Sequence, residues 1–307
     1  KILFDLGPDE TLLENAECLG IDLAQVDTVI LSHGHYDHGG GLEAFLKLNQ
    51  KADIYVQKAA FEKYYSHNYG RKKDISLSVN PEDYPQIHLL EGDFVIDEEL
   101  RLFVVTDRSR CYSSANDVLY KGDKKDDFLH EQNLILTEGE QTVLVLGCGH
   151  TGVLNILKKA ESYHPKVCIG GFHLFNPTTG VTVEEELLER VAQGLKQYDS
   201  QFYTCHCTGE KAFTFLAERV PGMEYLCCGI SIIRGYYGNK RIYGKTGKRF
   251  IFPVFDSLDH GNHGDIHLCS GRYHYDWKRT GECGHGSIKY RTSHLQYFLW
   301  TWSVVRG

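Results

Sequence analysis

The sequence predicts an α/β protein folded as a four-layer αββα sandwich, with two sheets face to face and helices outside. Three observations point there. Apolar runs of strand length alternate with amphipathic helical stripes from residue 1 to about residue 232. The alternation falls into two halves. In each half, apolar runs end in glycine-flanked loops that carry histidine: residues 32–41 in the first, and 147–152, 170–174 and 204–209 in the second. Strand ends that deliver ligands to one sheet edge suit such a sandwich.

Taken in order, residues 1–4 read as a strand that ends at Asp5-Leu-Gly7. Residues 9–20 place Leu12, Leu13, Ala16 and Leu19 at helical spacing, closed by Gly20. Residues 27–32 form the next strand, followed by a short helix at 42–48, a strand at 52–56 and a helix at 58–66. Tyr64, Tyr65, His67 and Tyr69, then Arg71, Lys72 and Lys73, make an aromatic and basic cluster. It reads either as a solvated loop or as a substrate entrance that meets an anion. Strands are expected at 87–90, 94–96 and 100–105, and a long polar loop at 109–127. His130 and Glu131 precede a strand at 133–137 and stand as candidates for the edge of a site.

In the second half, residues 143–147 are a strand, and Val153, Ile156, Leu157 and Ala160 form a helical stripe. A buried strand spans 166–172. An acidic helix at 183–198 turns Leu187, Leu188, Val191 and Leu195 to the core. A strand at 202–205, a helix opening at Thr208 and a strand at 225–232 complete this part. The free N–H groups at the start of the Thr208 helix are candidates for binding a substrate phosphate or carboxylate.

The stretch Leu31-Ser-His-Gly-His-Tyr-Asp-His-Gly-Gly-Gly41 carries the chemistry. It sets His33, His35, Asp37 and His38 within six residues. Imidazole nitrogen and carboxylate oxygen are the ligands that borderline divalent metals take. Residues two apart in an extended segment point the same way, so His33 and His35 can face one ion. Asp37 and His38 come after a bend and would face a second. Two ions roughly 3.5–4 Å apart hold a bridging hydroxide and clamp both oxygens of a displacement.

The pattern H-x-H-x-D-H after an apolar strand resembles the metallo-β-lactamase superfamily. Phe4-Asp-Leu-Gly7, Gly147-Cys-Gly-His-Thr-Gly152, Gly170-Gly-Phe-His-Leu174 and Thr204-Cys-His-Cys-Thr-Gly209 extend the likeness to about residue 232. These motifs are similar to the branch of metal-dependent hydrolases labelled 7,8-dihydropterin-6-methyl-4-(β-D-ribofuranosyl)-aminobenzene-5′-phosphate synthase. The resemblance implies that His150 completes one ion's shell with His33 and His35. It implies that His206 joins Asp37 and His38 at the other, and that Asp5 supports the metal loop through hydrogen bonds. A plain turn aspartate is the equal alternative for Asp5. At His173 the sequence departs from the superfamily, which often has a bridging aspartate there. His173 is then either a ligand or a residue that hydrogen-bonds substrate. Asp37 and His173 are the candidates for catalysis; His173 and Thr208 are the candidates for substrate binding. The resemblance also implies one or two strands before Lys1, so the chain is expected to be N-terminally truncated.

Bulk properties bound the rest. The chain has 307 residues and a formal charge of −8. From Ile233 onward it carries 12 Lys and Arg against 5 Asp and Glu, a net +7, which leaves −15 for residues before it. An acidic main body argues against a nucleic-acid partner. No apolar run of 18 residues is present, so no spanning helix and no membrane partner are expected. The ten cysteines include no C-x-x-C pair, and most lie in apolar runs, which fits reduced thiols and a cytoplasmic setting. Cys205 and Cys207 flank His206, but strand alternation points them away from its face.

The tail at 233–307 holds all three tryptophans and has no clean period. It reads as a small appended domain, a disordered tail or foreign sequence. His260, His263, His267 and Cys269 there lack the second-pair spacing of a zinc site. The function expected is a binuclear metal-dependent hydrolase of a small anionic ester, with a phosphoester favoured and a metal-bound hydroxide as nucleophile. Two divalent ions are expected, zinc first, with manganese or iron as alternatives. The second reading is a synthase that joins a dihydropterin to a ribofuranosyl-aminobenzene phosphate. Oligomeric state is not legible.

Overall fold

A computed structural model describes residues 1–68, 70–177 and 179–226, and the backbone of the strands Phe250–Ile251, Ser287–Thr292 and Leu295–Trp300. Two large sheets dominate. The first runs, in spatial order, Phe250–Ile251, Ile2–Phe4, Thr28–Ile30, Asp53–Gln57 and Ile87–Leu90, all parallel. The second has seven strands: Glu224–Tyr225, Gln201–Thr204, Val167–Gly170, Gln141–Val145, Asn133–Glu138, Leu100–Phe103 and Phe94–Val95. Its first four are parallel, and the rest join antiparallel.

The core explains the layering. Ile2, Phe4, Ile30 and Leu90 from the first sheet pack against Leu100, Leu102, Leu134 and Val145 from the second. That cluster is the seam of the sandwich. The other face of the first sheet buries Leu3, Val29 and Ile54 against Leu12 and Ala16 of the helix Thr11–Cys18 and Phe45 of the helix Leu42–Leu48. The other face of the second buries Leu144, Cys168 and Phe202 beneath the helices Val153–Ala160, Glu185–Leu195 and Glu210–Ala217. Strands buried on both faces read as continuous apolar runs, as parallel strands under helices should. The four expected layers are present.

Several elements differ from expectation. The helix expected at 58–66 is a short 3-10 turn, Lys58–Phe61, followed by the strand Tyr64–Asn68. Tyr64, Ser66 and Asn68 are buried while Tyr65 and His67 are half-buried, a period of two that strand pairing selects. Tyr64, Tyr65 and His67 of the cluster therefore lie on a strand rather than a loop, and Tyr69 lies outside the described residues. Arg71–Asp74 pairs antiparallel with Tyr64–Asn68, and Leu119–Lys121 and Lys124–Lys125 extend a four-stranded side sheet. The polar segment at 109–127 supplies those last two strands and the 3-10 turn Ser114–Val118. The acidic helix is shorter than expected, Glu185–Leu195, and a small hairpin of Phe175–Asn176 and Val181–Thr182 precedes it.

The strand expected at 225–232 is Glu224–Tyr225, with residues beyond 226 outside the described residues. So are His260, His263, His267 and Cys269. Beyond the expected boundary at 232, Phe250–Ile251 joins the first sheet, and Ser287–Thr292 pairs with Leu295–Trp300. Among the described residues, no helix is long and apolar enough to cross a membrane.

Candidate metal centre

The strand Thr28–Ile30 feeds the loop that carries His33 and His35, and the short helix Tyr36–Gly39 follows at once. That helix carries Asp37 and His38, and the His38 ring stays beside the first pair, 4.1 Å from the His33 ring centroid to centroid. The glycine run behind it has a steric cause. A Cβ on Gly40 or Gly41 would overlap the backbone of Pro8 or Leu6, so only glycine lets the ligand loop lie against the Asp5 turn.

The residues gather in two adjoining groups. In the first, ligand atoms of His33, His35 and His150 lie within 4.8 Å of one another, and all three rings are buried. Ring centroids stand 4.7, 4.9 and 4.9 Å apart, a near-equilateral triangle. The Nε2 atoms of all three have no hydrogen-bond partner among the described residues. In the second group, His38 Nε2 lies 3.2 Å from His206 Nε2 and 3.8 Å from Asp37 Oδ2, and His206 Nε2 lies 3.4 Å from Asp37 Oδ2. His206 is reached at the end of the strand Gln201–Thr204, and His150 lies past the strand Gln141–Val145.

Hydrogen bonds set the tautomers. His150 Nδ1 stands 2.8 Å from Asn116 Oδ1, while Asn116 Nδ2 donates to the His150 carbonyl at 2.8 Å. The amide oxygen can only accept, so the His150 proton is on Nδ1 and Nε2 carries a bare lone pair. His38 Nδ1 lies 2.7 Å from Asp5 Oδ2, with the same result. Ser32 Oγ bridges Asp5 Oδ2 at 2.8 Å and His33 Nδ1 at 2.8 Å. Asp5 Oδ1 accepts the Ser32 amide at 2.7 Å. One buried carboxylate thus orients a histidine in each group. Such outer partners fix ligand orientation.

Burial, aided by the surrounding histidines, lowers His33 and His150 well below the ordinary histidine pKa. Burial also lowers His35, against the opposing pull of Asp126. These rings are neutral near pH 7 and meet no proton competition for a cation. Burial works against a charged His38, but Asp5 and Asp37 outweigh it and raise that ring. Burial would likewise raise Asp37, yet His38 and His206 hold its carboxyl well below the usual range. The backbone is also strained here. Asp5, His173 and His206 have φ of 64°, 46° and 52°, the left-handed region that non-glycine residues avoid.

His173 is buried beside His150, with ring centroids 4.1 Å apart and both ring nitrogens unpartnered among the described residues. Thr208 departs from its expected place. It is fully buried, and its Oγ1 accepts the Phe172 amide at 2.9 Å and contacts Thr204 Oγ1 at 2.6 Å. The Thr208 and Gly209 amides bond the carbonyls of Cys205 and His206. Thr208 therefore braces the His206 loop with its amide and hydroxyl, and the helix itself begins at Glu210.

The site-edge candidates Glu131 and His130 both lie against the centre, and Asn116 and Asp126, which the sequence does not signal, join them. Glu131 is buried and accepts the His150 amide, the Thr151 amide and the Thr151 hydroxyl at 2.7, 2.9 and 2.7 Å. His130 Nδ1 accepts the Gly34 amide at 2.9 Å, so its proton is on Nε2, 3.1 Å from Asp126 Oδ2. Asp126 also stands 3.6 Å from His35 Nε2. Burial opposes charge on Asp126, but His130 and His35 keep it ionised. Cys205 packs with Val167, Ile169 and Leu226, as alternation predicts. Cys207 does not follow suit, because the 3-10 turn His206–Thr208 ends the alternation. Its Sγ joins Cys148 and His206 within 4.8 Å.

Residues 1–158 match the family model of the metallo-beta-lactamase superfamily. The chain belongs to that superfamily. It is 28% identical over 229 residues to an uncharacterised protein of Methanocaldococcus jannaschii, covering 71% of this chain and 83% of the relative. It is 29% identical over 258 residues to a second protein of that organism, named 7,8-dihydropterin-6-methyl-4-(beta-D-ribofuranosyl)-aminobenzene-5'-phosphate synthase, covering 75% and 83%. Among solved structures it is similar to a metal-dependent hydrolase of the beta-lactamase superfamily. There the TM-score is 0.61 and the identity 27%, over 74% of this chain and 86% of that one. The superfamily implies an enzyme that binds divalent metal, and the two histidine groups are its candidate ligands.

Proposed function

We propose that the chain is a binuclear metal-dependent hydrolase of a small anionic ester, with a phosphoester favoured. One observation carries the reading. The bare Nε2 atoms of His33, His35 and His150 converge in a buried space beside a second group, Asp37, His38 and His206. Buried lone pairs left facing one another are costly unless a cation sits among them. The donor set of imidazoles and one carboxylate fits two divalent ions, zinc first. When bound, such a pair supplies a water acidified to near neutrality and a Lewis acid for the scissile group.

The protein's own groups do the rest. Asp5, Ser32 and Asn116 hold the tautomers of His38, His33 and His150 that leave Nε2 free. Asp37, a third exposed and ionised, orients an entering water by accepting its hydrogen bond. His173, unpartnered and beside His150, hydrogen-bonds the charge that develops on the substrate. Tyr36 lies between His35 and Asp37 in the chain, and Lys73 Nζ donates to its hydroxyl at 3.0 Å. With exposed Arg71 and Lys72 on the same strand, that pair gives an approaching anion its first favourable contact.

A second reading rests on the 29% identical relative named as a synthase. Two assays separate them. The metal-loaded chain is offered phosphomonoesters, phosphodiesters, thioesters and lactones, and separately a dihydropterin with a ribofuranosyl-aminobenzene phosphate. Hydrolysis of a phosphoester, abolished in His33→Ala and His150→Ala, supports the hydrolase. A condensed product without ester turnover replaces it with the synthase.

A further inference from the structure

We propose that Cys148 is a thiolate ligand of the ion held by Asp37, His38 and His206. This rests on the binuclear reading above. Cys148 Sγ lies 3.1 Å from His38 Nε2, as close as His206 Nε2 does on the same atom at 3.2 Å. Two ligands on one tetrahedral ion with bonds of about 2.0–2.3 Å stand roughly 3.3–3.7 Å apart. The separations of His38 from Cys148, His206 and Asp37, and of His206 from Asp37, run from 3.1 to 3.8 Å and straddle that range.

A simple S–H···N hydrogen bond explains less. His38 Nδ1 donates to Asp5 Oδ2, so in the neutral ring Nε2 carries the one lone pair. That lone pair faces a sulfur, a second imidazole nitrogen and a carboxylate together. A shared cation can accept an electron pair from each of the four, whereas one thiol proton bridges only two of them.

The second cysteine has a different place. Cys207 Sγ points at the Cys148 carbonyl, 3.4 Å away. Gly171 makes room for it, since a Cβ there would come within 2.5 Å of that sulfur. Cys207 therefore backs the Cys148 loop. The proposed set is one carboxylate oxygen, two imidazole nitrogens and one thiolate. On binding, a sulfur–metal bond forms and the thiol proton leaves to solvent. A soft sulfur tilts this position toward zinc or cobalt and away from manganese, while the all-imidazole position keeps a broader choice.

The test uses the full chain stripped of metal and titrated with cobalt(II), followed by X-ray absorption on the zinc-loaded form. The expected result is two equivalents bound and a near-ultraviolet sulfur-to-cobalt charge-transfer band. Cys148→Ser loses the band and Cys207→Ser keeps it. On unmutated protein, X-ray absorption finds one sulfur at about 2.3 Å for every two zinc ions, which guards against a variant that misfolds. Two equivalents bound with only nitrogen and oxygen neighbours overturns the thiolate and leaves the binuclear reading standing. A band lost in Cys207→Ser but kept in Cys148→Ser overturns the assignment to Cys148. Fewer than two equivalents overturns the binuclear reading, and the thiolate with it.

Discussion

Asp5→Asn is the sharpest perturbation of the centre, because it changes one atom and leaves the shape. In the parent, Asp5 Oδ1 accepts the Ser32 amide, and Oδ2 accepts both Ser32 Oγ and His38 Nδ1, at 2.7 to 2.8 Å. An asparagine has two placements. If its oxygen stays on the Ser32 amide, its NH₂ faces Ser32 Oγ and His38 Nδ1. His38 Nδ1 must then accept, its proton moves to Nε2, and the lone pair aimed at His206 is lost. Ser32 Oγ in turn must donate to His33 Nδ1, which protonates His33 Nε2 in the first group. If the amide is flipped, its NH₂ opposes the Ser32 N–H, leaving buried donors unsatisfied at about 1–3 kcal/mol. Either way ligand geometry suffers, and loss of an outer partner of this kind costs roughly 10–100-fold in metal affinity. Competition with a chelator, read for both ions, measures it. Affinities within twofold of the parent at both positions would refute the orienting role of Asp5.

Further predictions follow from the same geometry. Gly147→Ala places a Cβ against the Ser32 side chain and 3.3 Å from Asp5 Oδ2, so metal affinity should fall at least about tenfold while far-ultraviolet circular dichroism holds. Glu131→Gln sets an NH₂ against the amide of His150 or Thr151. The urea midpoint should drop by the equivalent of about 1–3 kcal/mol, and an unchanged midpoint would remove Glu131 from the account. The metal-free chain should be most stable near neutral pH. His33, His35 and His150 have lowered values, so the unfolded chain takes up protons first as pH falls below about 6.5, and stability drops there. His38 is raised, so its contribution is present below about 6.5 and fades as pH climbs through its folded value. Denaturation midpoints at a series of pH values, flat from acid to neutral, would contradict this.

Much of the molecule was legible in its sequence, and the parts that were not have physical causes. The layers followed from apolar runs such as Val29–Leu31, because a strand covered on both faces cannot carry polar residues. The bend expected after His35 is the helix Tyr36–Gly39, which still leaves the His38 ring 4.1 Å from that of His33. The strand Tyr64–Asn68 was read as helix because its alternation is written in Tyr, Ser, His and Asn, where burial contrast is weak. Asn116 and Asp126 reach the centre from segments distant in sequence, and no spacing rule signals that. Cys207 was misplaced because alternation was extended past His206, where φ of 52° and a 3-10 turn break it.

Counting bound metal in purified protein and in two single variants tests the central claim most directly. The account predicts two divalent ions per chain, one lost in His150→Ala and the other lost in His206→Ala. A parent that binds a single ion, or two variants that each keep both, would contradict it.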